Sequence, residues 1–308
     1  MAMMKIKFPA YYYISAIIGE MKLKQYVLNV FQNILKDVKR NPREAAFIVK
    51  FGIGMKRSER RRKYYRENGE EVPKVLIGSL DSNCNYFCRG CYKRNNKKII
   101  EGQGNSLSIS QFKKIIGRAK ELGVVSFVFA GGEPLKRKDI LQEASKVKSI
   151  IFPAVISISS ISNDDIKFFN ENRNIVPIIR LKGNEAGEAE KFVKLAKSLF
   201  NKQVYYGVLL SVNKKNMERA VSTDFVDSLY RNGCKALLFA ENVTDCIIDN
   251  NDREFLKKKE KILRKSYENI FFYYINENDK KVNRCLGFDK EVLQINYKGT
   301  MNKCIYIK

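Results

Sequence analysis

SLDSNCNYFCRGCYK, residues 79–93, follows an apolar run (Val75, Leu76, Ile77) that reads as a strand, and it holds Cys84, Cys88 and Cys91. Three thiolates at C-x3-C-x2-C spacing in one loop can converge on a single soft-metal centre, because thiolate is the ligand that iron–sulfur clusters and zinc select. The count is informative. A closed zinc site or an electron-carrying cluster takes four protein ligands, whereas three leave one metal corner open for chemistry. Two other readings stand beside a cluster. A zinc site would need a distant cysteine as its fourth ligand, because the chain contains no histidine, and the three cysteines could also be inert thiols.

Outward from this loop, the chain alternates strand and helix from Lys74 on. Strand 75–80 leads into the cysteines, and residues 97–107 form a polar excursion. Ser108 with Gln111 resembles a capping box for a helix reaching Leu122, stopped by Gly123. Further strands are expected over 124–129, 149–157, 175–181, 203–212 and 235–240. The helices between and after them span 137–147, 164–171 (capped by Asn163), 186–199, 217–232 (stopped by Gly233) and 252–267. Such alternation means a parallel sheet with right-handed crossovers. Six units make a partial barrel whose functional loops leave the C-terminal strand ends. One strand after the cysteine loop, VVSFVFA runs into Gly131-Gly132-Glu133-Pro134. Two glycines at a strand end permit unusual backbone angles and close approach of a ligand. Glu133 adds an acceptor for an ammonium group, and Pro134 stiffens the turn. Taken alone, the same residues would suit any tight strand–helix turn.

The two motifs together resemble the radical S-adenosylmethionine (SAM) superfamily, and CRGCYK resembles its C-x-G-C-Y-A subgroup, related to the SPASM-domain maturases. The resemblance covers about residues 72–308. It implies an α/β fold, a partial (β/α)6 TIM-like barrel, with a 4Fe–4S cluster on Cys84, Cys88 and Cys91. The amino and carboxylate groups of SAM would chelate the fourth iron, with Gly131, Gly132, Glu133 and Pro134 at the amino group. It further implies an oxygen-sensitive enzyme served by a one-electron donor such as a flavodoxin or ferredoxin. Such an enzyme cleaves SAM reductively to methionine and a 5′-deoxyadenosyl radical that abstracts hydrogen. A peptide or protein is the leading substrate class, by association with the SPASM relatives. A lipid or lipid-linked substrate is one alternative; a non-catalytic cluster-binding redox sensor or partner protein is another.

This chain departs from the family pattern in two places. Ser157-Ile158-Ser159-Ser160 stands where relatives carry a Thr-Asn-Gly-Thr-like turn. In IVPIIRLKG, Arg180 and Lys182 occupy positions where a small polar group and an acid are common. They read either as rim charges or as a cationic pocket for an anionic substrate or the SAM carboxylate. Ser157 and Ser211 remain cofactor-side candidates, and no proton-transfer residue can be named. The tail, RCLGFDKEVLQINYKGTMNKCIYIK, reads as a small hairpin turning at Lys298-Gly299. It resembles the opening of a SPASM or twitch domain, in which Cys285 and Cys304 would help hold a second iron–sulfur cluster. Cys234 precedes a buried-looking strand and reads as core.

The 308 residues divide into a basic helical extension (1–73), the barrel (74–270) and the truncated tail region (271–308). A hydrophobic content of 44% excludes a disordered chain. Seven cysteines without framework spacing argue against a secreted disulfide scaffold and for a reducing cytoplasm. The opening MAMMKIKFPAYYYISAIIGEMK lacks a convincing cleavage site, and no apolar stretch approaches the roughly 20 residues that span a bilayer. Net charge is +25, and residues 1–74 alone carry 17 basic and 7 acidic residues. Residues 10–39 read as an amphipathic helix, with Tyr13, Ile17, Met21, Phe31 and Leu35 on one stripe. A second helix starts near Arg43, is interrupted at Gly52 and Gly54, and gives way to a basic third helix over Lys56–Arg66. Packing of this extension on the barrel is the favoured expectation. Weak contact with an anionic membrane surface, and hence a peripheral location, is the alternative. No specific nucleic-acid partner is expected.

Overall fold

In the computed structural model, the strand–helix alternation builds one sheet. The structure describes residues 42–70, 72–80, 106–183, 187–241, 246–267, 270–275, 292–295, 298–299 and 301–302. In chain order the strands are β1 (Val75–Ser79), β2 (Ser126–Gly131), β3 (Phe152–Ser157), β4 (Ile175–Leu181), β5 (Tyr206–Val212), β6 (Cys234–Glu241), β7 (Phe271–Ile275), β8 (Val292–Ile295) and β9 (Met301–Asn302). Their spatial order is β7-β6-β5-β4-β3-β2-β1-β8-β9. Every pairing from β7 to β8 is parallel, and only β8 with β9 is antiparallel. The result is an open, curled half-barrel with flanking helices. Two features differ from the six expected units. The aromatic run FFYYI adds β7 beyond β6, and the expected hairpin returns to pair with β1 at the opposite end of the sheet.

The helices are α1 (Pro42–Glu67), α2 (Ile109–Leu122), α3 (Lys138–Ser145), α4 (Asn163–Glu171), α5 (Glu188–Asn201), α6 (Met217–Ala220), α7 (Thr223–Arg231) and α8 (Asn250–Ser266). The starts of α2, α4, α7 and α8 follow capping chemistry. Ser108 and Gln111 form the expected capping box on α2, and Gly123 ends it in the left-handed region at φ 84°. On α4 the cap is Ser162, paired with Asp165, one residue before the expected Asn163. Asp249 and Asp252 form a third box on α8. The expected helix over 217–232 is two short ones, with Ser222 capping the second.

Side chains alternate across the sheet and separate two apolar layers. The outer layer packs against the helices and includes Phe112, Phe127, Phe129 and Phe152, whose ring centroids lie 5.2–6.5 Å apart. Gly78 makes room there: a Cβ on it would sit 2.2 Å from the Phe127 ring. Val75, Ile77, Val128, Val155, Ile178, Leu209 and Leu238 fill the inner layer. Phe47 and Ile48 of α1 join this inner layer, so α1 packs on the barrel as expected of the extension.

α1 is a single helix that runs through Gly52 and Gly54, where the sequence pattern predicts an interruption. A Cβ on Gly54 would sit 3.8 Å from Ser149, ordinary van der Waals contact, and one on Gly52 would meet nothing, so neither glycine is required by a close approach; docking of α1 on the inner layer outweighs the poor helix propensity of glycine. Part of its basic run is committed to contacts within the protein. Arg61 donates to Lys120 O (2.6 Å) and Arg62 to Gly123 O, so two guanidiniums satisfy carbonyls at the C-terminus of α2. The expected helix over 10–39 lies outside the described residues. No described helix is long and apolar enough to cross a membrane.

Candidate active site at the C-terminal strand ends

The inner layer changes character toward the C-terminal ends of the strands. Branched apolar side chains fill its lower levels, whereas Ser79, Ala130, Ser157, Arg180, Ser211 and Ala240 stand above them. The register sets Ser79 against Gly131, Ser157 against Arg180 and Ser211 against Ala240. Apart from Arg180, small or hydroxylated side chains line the mouth of the half-barrel above a filled apolar floor. The expected candidates Ser157 and Ser211 both stand on that level, where their hydroxyls can donate and accept hydrogen bonds.

The roots of the two sequence motifs meet at this rim. The cysteine loop leaves from Leu80, whose backbone N–H donates to Gly131 O at 3.1 Å, and Leu107 N returns to Leu80 O at 3.1 Å. Gly132 takes a φ of 75°, a conformation that glycine adopts without cost. Pro134 then opens a short 3-10 turn, Pro134–Lys136, and is buried. Cys84, Cys88, Cys91, Cys285 and Cys304 lie outside the described residues. Among the described residues no group of three or more histidines, cysteines or carboxylates could hold a metal.

Glu133 does more than the sequence suggests. Its buried carboxylate accepts from Leu135 N at 3.3 Å with one oxygen and from Ser157 N at 3.0 Å with the other. It therefore brackets the exit of β2 to the exit of β3, and any ammonium would share an acceptor already holding two backbone donors. The Ser157 and Ser159 hydroxyls are hydrogen-bonded to each other at 3.0 Å at the 3-10 turn Ile158–Ser160, the stretch where the resemblance implies an Asn-Gly turn.

Comparison with known proteins bears on this corner. The family model described as "Radical SAM superfamily" matches residues 82–179, from the cysteine loop through β3 into β4. Residues 82–179 are thus similar to a radical SAM superfamily domain. A "Probable GTP 3',8-cyclase" of Thermococcus kodakarensis is 30% identical over 99 residues, 32% of this chain and 30% of that protein. A "PqqA peptide cyclase" of Granulibacter bethesdensis is 36% identical over 70 residues, 23% of this chain and 18% of that protein. The chain thus spans less than a third of the curated relatives it matches. Among solved structures, Streptococcus suis SuiB bound to S-adenosylmethionine aligns with TM-score 0.61 at 19% identity, over 76% of this chain and 61% of that chain. SuiB bound to the precursor peptide SuiA aligns with TM-score 0.62 at 18% identity, over 80% of this chain and 63% of that chain. These likenesses agree with the half-barrel.

Beyond the segment that matches the radical SAM model, the rim is built from polar brackets. Lys182 N and Gly183 N both donate to Glu188, at 2.8 and 2.7 Å. That pair of N–H groups would otherwise suit an anion, and the protein's own carboxylate occupies it. Asn216 Nδ2 donates to Gly183 O (3.2 Å) and Ser211 O (3.0 Å), tying the exits of β4 and β5. Gly183 has φ 79°, and a Cβ there would lie 2.4 Å from Asn216 Nδ2. Asn213 caps the same turn, its Oδ1 accepting from Lys215 N and Asn216 N. At the far end, Arg253 forks onto Glu241 (3.0–3.2 Å), and Tyr274 donates to the same carboxylate at 2.7 Å. Of the described cysteines, Cys234 is core as expected, and burial pushes its thiol up to about 12; Cys246 is exposed. Sequence reading missed Glu188, Asn213 and Asn216. The short Asn-x-x-Asn spacing after β5 was the available signal for the last two.

Proposed function

We propose that this chain is a radical SAM enzyme in which Cys84, Cys88 and Cys91 hold a 4Fe–4S cluster beside SAM seated on Gly131–Pro134. The observation that carries the reading is the Leu80 N to Gly131 O hydrogen bond, which roots the cysteine loop and the Gly-Gly-Glu turn side by side. When bound, the cluster supplies the electron, drawn from a flavodoxin- or ferredoxin-like donor, that cleaves SAM to methionine and a 5′-deoxyadenosyl radical. The protein's own share is to bind, orient and exclude water. Gly131–Pro134 would seat the SAM amino group, and the Ser157 and Ser211 hydroxyls would be offered to its ribose. A peptide substrate is supported by two of the proteins it resembles, a PqqA peptide cyclase and SuiB bound to the precursor peptide SuiA. Cys285 and Cys304 are proposed ligands of a second cluster, on the tail resemblance alone.

A cluster-binding protein without turnover is the competing reading. In its favour, Ile158–Ser160 forms a 3-10 turn in place of the family's Asn-Gly turn, and Arg180 stands beside Ser157. Anaerobic reconstitution tests the cluster itself. The protein should take up at least four irons per chain and absorb near about 400 nm, as thiolate-ligated iron–sulfur clusters do. Replacing Cys84, Cys88 and Cys91 together with alanine should abolish both signals while the circular dichroism of the barrel persists. A triple variant that keeps its full iron and sulfide would overturn the ligand assignment.

A further inference from the structure

The two ends of the cysteine loop are held by a residue outside both motifs. Arg137, directly after the 3-10 turn, sends Nη1 to Leu80 O at 3.0 Å and Nη2 to Leu107 O at 2.6 Å. Those carbonyls flank residues 81–106, the segment that contains the three cysteines. Asp139 grips the guanidinium from behind, with Nε to Oδ1 at 2.9 Å and Nη2 to Oδ2 at 2.7 Å. The arginine side chain is only 13% exposed. Its hydrogen bond to Asp139 holds that carboxyl below the usual aspartate range, against a smaller opposing effect of burial. Arg137 N also donates to Pro134 O at 2.9 Å, so the clasp and the Gly-Gly-Glu turn form one continuous piece of backbone.

We propose that Arg137, seated by Asp139, is a positioning residue: it fixes the neck of the cysteine loop against the SAM turn and so sets how long the loop retains its cluster. The proposal rests on the radical SAM reading above. A long loop whose ends are free pays conformational entropy each time its ligands converge; a pinned neck removes part of that cost before metal arrives. Only a planar fork can serve both carbonyls and the carboxylate together. Lysine, with one ammonium, cannot span the three acceptors in this geometry.

The test compares wild type with Arg137→Ala, Arg137→Lys and Asp139→Asn, each reconstituted anaerobically. Iron loss to excess chelator is followed near about 400 nm, and thermal melting of each cluster-free form reports structural damage separately. Arg137→Ala should lose iron about tenfold faster than wild type, the lower end of what outer-sphere substitutions cost a metal site. Arg137→Lys should fall between them and Asp139→Asn closer to wild type, with little change in cluster-free melting. If Arg137→Ala does not fold, the other two variants decide, since Asp139 sits 40% exposed in the first turn of α3. Variants that lose iron at the wild-type rate overturn the clasp, as does a cluster lifetime that falls only in step with melting temperature. A wild type that takes up no cluster overturns the radical SAM reading and this proposal with it.

Discussion

Replacing Glu133 with glutamine should destabilise the protein before any cofactor is added. The carboxylate offers one oxygen to Leu135 N at 3.3 Å and the other to Ser157 N at 3.0 Å. Glutamine has one acceptor oxygen and one NH2 group, so either flip sets a donor against a backbone donor. The shorter bond to Ser157 would keep the oxygen, leaving Leu135 N–H facing the NH2 group. Losing a hydrogen bond to a charged acceptor and stranding a buried donor costs about 1–3 kcal/mol. For a chain of this size that lowers the melting temperature by roughly 1.5–5 °C. Circular dichroism melts of the cluster-free protein read this directly, and Glu133→Ala, which loses both bonds, should fall further. A glutamine variant melting within about 1 °C of wild type, yet binding SAM less well, would show that Glu133 acts only on ligand and that the bracket carries no weight.

Three further outcomes are expected. Gly123→Ala should loosen α1, because its φ is 84° and the new Cβ would meet Ser58 O at 2.4 Å; unchanged hydrogen-exchange protection across α1 would contradict the docking. Alkylation of the native protein, mapped by peptide mass spectrometry, should modify Cys246 rapidly and spare Cys234, whose buried thiol is pushed up to about 12. Equal labelling of the two would refute the burial. The Arg137–Asp139 pair should weaken in acid. A depressed carboxyl contributes stability above its ordinary value of about 3.9 and loses it as pH falls through the depressed one. The small melting difference between wild type and Asp139→Asn at neutral pH should therefore shrink in strong acid, and a difference that widens there would refute the sign.

Six of the strands were legible because each is a short apolar run bounded by a cap or a glycine; Gly123 and Gly233 both take the positive φ that stops a helix. β7 was not, because FFYYI follows α8 with no glycine or proline between them, and five apolar residues in a row carry no period. The break expected in α1 failed for a tertiary reason: Phe47 and Ile48 dock the helix on the inner layer and Arg61 and Arg62 tie it to the end of α2, contacts that local pattern does not show. Glu133 was legible as a site residue, but its partner Ser157 N comes from the next strand, and register is invisible to local pattern. The same holds for Arg137, whose acceptors are the two ends of a loop that only the fold brings together. Part of the basic run reads as surface charge by composition. Arg61 and Arg62 are committed to carbonyls at the end of α2, a helix end that the sequence does not show to be near.

The most direct measurement is product analysis after one-electron reduction. Anaerobically reconstituted protein, given SAM and a strong reductant, should form 5′-deoxyadenosine and methionine in equal amounts, even slowly and without substrate. The variant lacking Cys84, Cys88 and Cys91 should form neither. A wild-type preparation with full cluster occupancy that binds SAM and yields no deoxyadenosine would contradict the account and leave the non-catalytic cluster-binding reading in its place.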